Sequence, residues 1–355
     1  MRVSMVVRTT PAGRIAILVI ATVGMALVAY VAFVFLGLMG MAGNQVEHDL
    51  VAFDLSPDGR SVVFSSASGG LFVLDLRSKQ VEELPGAPKA DATMPKFSPD
   101  RKSVAFLARD PGGGGASLCS VPVSGGAPTL LVDGSQASVG AFAFSSDGRR
   151  LCFMRAYRHR PYSMGGMVWD DSDVSVLDLG SGRERRLTHE TYYGGGNVAF
   201  VDGGSAVLYC AEGHGERLAS SLHKVGLAAK AAPEAFMPQA AGFGGGAWAS
   251  DLSASRDGRL LAFISDRERS FAYDVFVGDP SGRNVRPLHI TNISGYNASP
   301  VIAPDEKTVY FLAGGERNPH GRAIFSLYRT DLDGHATEVA DSGLFTDPLH
   351  WRRRL

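Results

Sequence analysis

The sequence predicts an all-β fold, a six-bladed β-propeller preceded by one N-terminal transmembrane helix. Three observations predict it. A turn position recurs at Asp58, Asp100, Asp147, Gly203, Asp257 and Asp305, so that a unit of roughly 40–56 residues is read six times; several strands per unit at that period is the signature of a propeller. Four residues after each turn stands Val or Leu (Val62, Val104, Leu151, Val207, Leu261, Val309), and six residues after it an aromatic (Phe64, Phe106, Phe153, Tyr209, Phe263, Phe311). Aromatics are 9% of the chain, so six from six is not chance. The third observation is the uncharged run Ile15–Gly43.

Composition sets the outer limits. With 355 residues the chain can form one large all-β domain plus an appendage. Its 43 glycines suit a turn-rich protein, and a net charge of −1 provides no basic field for nucleic acid. Cys119, Cys152 and Cys210 make no disulfide framework and have no zinc spacing. They read as small hydrophobes of the strands.

In chain order, residues 1–14 form a basic tail with Arg2, Arg8 and Arg14 and no acid. The apolar run exceeds the ~20 residues that span a bilayer and the ~7–15 of a secretory signal core. We therefore expect a retained helix over residues 15–40, with cleavage after Ala42 as the alternative. The basic flank stays in the cytoplasm. A short linker, 41–49, then leads to a propeller over 50–345 on the periplasmic or extracellular side, and residues 346–355 close the chain.

In the first copy, strands are expected at Val51–Leu55, Ser61–Ser65, Leu71–Leu76 and Val81–Leu84. Asp58-Gly59 makes the tight turn between strands A and B, with Pro57 presetting φ. Further copies are expected near 95–131, 142–188, 197–239, 250–289 and 299–340. The glycine-rich Asp110–Ala116 reads as a B–C loop, since neither a helix nor a Gly-Lys-Ser/Thr follows it. Asp75, Asp178, Asp279 and Asp331 recur near the end of strand C, which argues for a C–D turn role.

The motifs SPDGRSVVF, SPDRKSVAF, SSDGRRLCF and SRDGRLLAF resemble the WD40-like Pro-Asp repeats of TolB-like propellers. The resemblance covers nearly everything after residue 50. It implies six blades and work done mostly by protein–protein contact, while fold alone does not carry activity. We expect no counterpart of the α/β domain that precedes the propeller in TolB, and therefore no transfer of a role in the Tol system.

The third copy carries the most distinctive segment, RAYRHRPYSMGGMVWDDSD over 155–173. Arg155, Arg158, His159 and Arg160 are interleaved with Tyr157, Tyr162 and Trp169, and Asp170, Asp171 and Asp173 follow. In a propeller, B–C and D–A loops share one rim and A–B and C–D turns the other. Binding residues favour the variable rim, and Arg with Tyr and Trp is the composition of an interaction hot spot. The competing expectation is a flap whose basic and acidic halves pair with each other. Calcium is disfavoured by the absence of EF-hand spacing. On the same rim we expect His189, Tyr192 and Tyr193 from the loop before blade four, and Tyr296 from the loop before blade six. A lone His beside a turn is more often structural than a base or metal ligand.

Phe345–Trp351 reads as an extra strand A that helps to close the ring. No GxSxG, P-loop, zincin or kinase signature occurs, and the nine histidines are scattered. The expected function is non-catalytic binding of a protein or peptide at the membrane surface, without cofactor or metal. The alternative is a carbohydrate-active or metal-dependent propeller enzyme, a lyase or hydrolase, at the same rim; some oligogalacturonate lyases resemble this repeat family and bind metal through histidines. A third option is a purely structural module.

Overall fold

The computed structural model describes residues 51–67, 69–110, 115–161, 167–192, 194–212, 221–236, 249–265, 274–282, 284–290, 293, 296–317 and 323–354. The expected tail, transmembrane helix and linker lie outside them. No helix of the described residues is long and apolar enough to cross a membrane.

Among the described residues the chain forms six four-stranded antiparallel sheets, each from consecutive strands. Blade one is β1 (Phe53–Leu55), β2 (Ser61–Ser65), β3 (Leu71–Asp75) and β4 (Val81–Glu83). Blade two is β5 (Ala92–Phe97), β6 (Ser103–Arg109), β7 (Ala116–Pro122) and β8 (Thr129–Val132). Blade three is β9 (Ser138–Phe144), β10 (Arg150–Pro161), β11 (Met167–Asp178) and β12 (Glu184–Arg186). Blade four is β13 (Gly194–Val201), β14 (Ala206–Glu212), β15 (Ser221–Gly226) and β16 (Glu234–Ala235). Blade five is β17 (Ala249–Ala254), β18 (Leu261–Ser265), β19 (Asp274–Gly278) and β20 (Arg286–Pro287). Blade six is β21 (Tyr296–Ile302), β22 (Thr308–Arg317), β23 (Ala323–Asp331) and β24 (Ala336–Ala340).

The recurring aromatic explains the ring. Phe64, Phe106, Phe153, Tyr209, Phe263 and Phe311 are all at most 1% exposed. Each lies in the apolar cluster between its own blade and the preceding one, with the Val or Leu two residues earlier on the same face. Phe64, for example, packs in the seam between blades six and one with Leu327 and Leu312. Burying one such side chain stabilises the fold by roughly 1.5–3 kcal/mol.

The recurring turn is equally uniform. Ser56, Ser98, Ser145 and Ser255 donate from Oγ to the carboxylates of Asp58, Asp100, Asp147 and Asp257 at 2.6–2.8 Å. The same serine oxygens accept the N–H groups of Ser61, Ser103, Arg150 and Leu260. Gly258 sits at φ +71°, and a Cβ there would lie 2.8 Å from Val201 Cα in the neighbouring blade. The guanidinium of Arg256, on the turn of blade five, lies 3.5 Å from the carbonyl oxygens of Pro99 and Ser146, on the turns of blades two and three. These turns therefore meet across the ring. The strand C aspartates make the C–D turns: Asp75 accepts from Ser78, Asp178 from Ser181 and Asp279 from Ser281.

The first strands of blades two, three, four and six begin three or four residues before the expected copies at 95, 142, 197 and 299. Two of those copies were expected to begin at Pro95 and just before Pro300. Instead β5 and β21 run through those prolines at β-bulges, between Thr93 and Lys96 and between Ala298 and Val301. Met94 and Ser299 adopt φ of 51° and 47° there.

Phe345–Trp351 is not a strand. Gly343–Thr346 forms a short helix, α1, and Pro348–Arg354 a 3-10 turn. All six innermost strands already come from their own blades, so no sheet edge needs it. The segment closes the ring with side chains instead. Leu344, Phe345 and Trp351 are buried among residues of blades one and six, and the Phe345 ring meets Phe64 edge-on at 5.5 Å. The N–H of Ala67 donates to the Phe345 carbonyl at 2.9 Å, and Trp351 Nε1–H donates to Asp341 at 2.9 Å.

Candidate functional site

The hairpin β10–β11 is the longest in the molecule as described. Each strand has twelve residues, against seven in β6 and β7. Five extra residues at ~3.3 Å each carry it about 16 Å further. The ladder pairs Arg155 with Asp173, Arg158 with Asp170, His159 with Trp169 and Arg160 with Val168. The structure therefore brings Arg155, Tyr157, Arg158, His159, Arg160, Trp169, Asp170 and Asp171 onto one two-stranded flap. Tyr162 and Tyr193 lie outside the described residues.

Asp173 anchors the flap. It is fully buried and accepts from Thr188 Oγ1 and Arg186 Nη2, both at 2.5 Å, and from the backbone N–H groups of Glu190 (3.0 Å) and Thr191 (3.3 Å). Thr188 Oγ1 in turn accepts the Val174 N–H at 3.0 Å. The loop before blade four is also stitched to the flap by paired backbone hydrogen bonds between Ser172 and Tyr192, at 2.8 and 2.9 Å. Arg186 then lies over the Tyr157 ring, 4.5 Å from its centroid. One buried carboxylate thus holds the flap, its outer strand and the adjoining loop together.

Further out, one basic residue of the flap pairs with one of its acids. Arg158 Nε donates to Asp171, whose φ of +53° turns its carboxylate out of the regular ladder. Arg155 lies 3.6 Å from Glu184 and donates from Nη2 to the Asp133 carbonyl at 3.2 Å. The Arg158 side chain nevertheless stays 69% exposed. His189 is exposed beside the clamp, and Tyr296 opens β21 opposite Gly314. Among the described residues no group of three His, Cys, Asp or Glu side chains is placed to hold a metal.

Tyr192 is not a surface aromatic. It is 5% exposed, and its hydroxyl shares a 2.7 Å hydrogen bond with that of Tyr209. His223 stacks on Tyr209 at 5.5 Å and lies 5.4 Å from Tyr192. Burial pushes both phenols up. The cause is readable in hindsight: five repeats place Phe at the core aromatic position and blade four places Tyr209, whose hydroxyl needs a buried partner. In the sequence Asp173 reads with the flap aspartates but not as a clamp, and its partners Arg186 and Thr188 do not read as site residues. Their signal is an acidic residue inside the apolar strand pattern DSDVSVLDL.

The cysteines are inert. Cys152 and Cys210 are buried and Cys119 is half-buried; burial pushes the Cys210 thiol up to about 12.

No family model and no curated protein matches the sequence. Solved structures match in three dimensions. TolB from Acinetobacter baumannii superposes with a TM-score of 0.55 at 16% identity, over 80% of this chain and 61% of that one. An oligogalacturonate lyase from Vibrio parahaemolyticus gives 0.56 at 13% identity, over 82% and 78%. A puromycin-hydrolyzing peptidase from Mycobacterium tuberculosis gives 0.52 at 19%, over 79% and 43%. The chain thus spans under two thirds of TolB and of the peptidase. It has the TolB-like six-bladed propeller fold, and that fold also carries a lyase and a peptidase.

Proposed function

We propose that the chain is a membrane-anchored module whose propeller lies outside the cytoplasm and holds a protein or peptide, without catalysis, on its loop-bearing rim. The observation that carries this reading is the hairpin β10–β11, with twelve residues in each strand, projecting from the ring and clamped at its base by Asp173. A rigid base with exposed Arg158 at its side lowers the ordering cost of binding. The anchor rests on the charge-free run Ile15–Gly43 after an arginine-bearing tail.

A photo-crosslinking residue at position 158, in the full-length chain in its own membrane, tests the rim. The control is the same probe at Arg183, exposed on the opposite rim of the same blade. A discrete adduct from 158 and none from 183 supports the reading; equal labelling or none at both rejects it. Protease shaving of intact spheroplasts tests the topology, with digestion of the propeller expected.

A carbohydrate-active or metal-dependent enzyme at the same rim is the second reading, favoured by the lyase that shares the fold. Stoichiometric metal in the purified chain, lost on His189→Ala, would establish it in place of the first.

A further inference from the structure

The seam between the first and last blades is closed at the loop rim by α1, and on the turn rim it opens into a cleft of about 530 Å³. Three arginines line that cleft: Arg60 and Arg77 from the two turns of blade one, and Arg329 from β23. Tyr310, paired with Arg329 across β22 and β23, also lines it.

The charges there are not balanced from within. Asp58 faces Arg60 at 3.7 Å but is taken by Arg101 at 2.7 Å. Asp75, the one acid lining the cleft, accepts through Oδ1 from Ser78 Oγ and from the backbone N–H groups of Arg77 and Ser78. Among the described residues neither Arg77 nor Arg329 has a carboxylate within ion-pair distance. Tyr310 is mostly buried, and among the described residues no protein group hydrogen-bonds its hydroxyl, which is left open to the cleft. An open hydroxyl at the cleft wall can donate to a bound acceptor.

We propose that this cleft binds a phosphate monoester. A dianionic phosphate offers acceptor oxygens to three guanidiniums, whose planar forks suit it, and one more to the Tyr310 hydroxyl. It would also offset the excess of positive charge that three arginines leave against the single lining carboxylate of Asp75. The site is on the opposite rim from the flap and does not depend on how the flap is used.

The test is isothermal titration of the full-length chain in a neutral detergent, first with glycerol 3-phosphate and then with dihexanoyl phosphatidic acid. Saturable binding is expected, weakened tenfold or more by Arg77→Ala or Arg329→Ala, severalfold by Tyr310→Phe, and falling steeply with salt. Equal affinity for the two probes marks a soluble ester as the source of the phosphate; tighter binding of the lipid through the same residues marks a headgroup. Arg77 is exposed on a turn, so its variant keeps the fold. No binding of either probe, or binding indifferent to both arginine substitutions, overturns the proposal.

Discussion

The two rims of the ring are built by opposite rules. On the turn rim, four blades use the same Ser-x-Asp turn with the same hydrogen bonds, and neighbouring turns touch. On the loop rim, blade three extends into a hairpin of two twelve-residue strands and a helical segment caps the seam between blades one and six. The uniform rim repeats because each copy solves one local problem, a tight reversal whose donors are satisfied. The varied rim is free to differ because the ring below it is already closed.

The largest effect should come from the seam closure. Phe345→Ala removes a buried ring that touches Phe64 and should cost about 3–5 kcal/mol in denaturant unfolding. A loss near zero would mean that α1 merely rests on a ring closed by other contacts. Asp173→Ala comes next, at about 3 kcal/mol, since Arg186, Thr188 and two backbone N–H groups lose their acceptor. Hydrogen exchange should speed up at 188–192 and in the flap, while the turn rim is unaffected.

On the uniform rim, Gly258→Ala forces a Cβ against Val201 at a positive φ and should cost roughly 1–2 kcal/mol. A smaller effect is pH-linked. The hydrogen bonds from Ser98 and Ser145, then those from the Lys102 and Arg149 N–H groups, hold Asp100 and Asp147 below the usual carboxylate range. A depressed folded-state value adds stability that is complete above the unfolded value, near 3.9, and is lost as pH falls through the folded one. Ser98→Ala with Ser145→Ala should therefore flatten the fall in Tm between pH 5 and pH 3. An unchanged slope would show that other groups govern acid unfolding. Smallest is Arg158→Ala, an exposed pair that should change stability by under about 0.5 kcal/mol.

Repetition decided what could be read in advance. The six-fold turn and aromatic positions give the blade number and the seam core, and the strand C aspartates take the turn role their recurrence implies. What occurs once was harder. Tyr192 looked like a rim aromatic because nothing local shows that Tyr209 and His223, in another blade, enclose it. FTDPLHW has spaced apolar residues, but whether they form a strand or a helix depends on a free sheet edge, which is a tertiary property. In the flap, the sequence shows equal stretches of base and acid. Only the positive φ of Asp171 and the burial of Asp173 decide which acid meets which arginine.

The central claim is that the flap recognises and the ring supports it. Ala156 and Ser172 are paired across the hairpin, so residues 157–171 can be replaced by an Asn-Gly turn that keeps the hydrogen bonds of Asp173 and gives up only the Tyr157 ring under Arg186. The measurement is photo-crosslinking from position 189, beside the clamp, in the full-length chain with and without the flap, alongside its melting temperature. We predict an unchanged melting temperature, within about 2 °C, and loss of the crosslinked partner. A partner still captured without the flap would contradict the account.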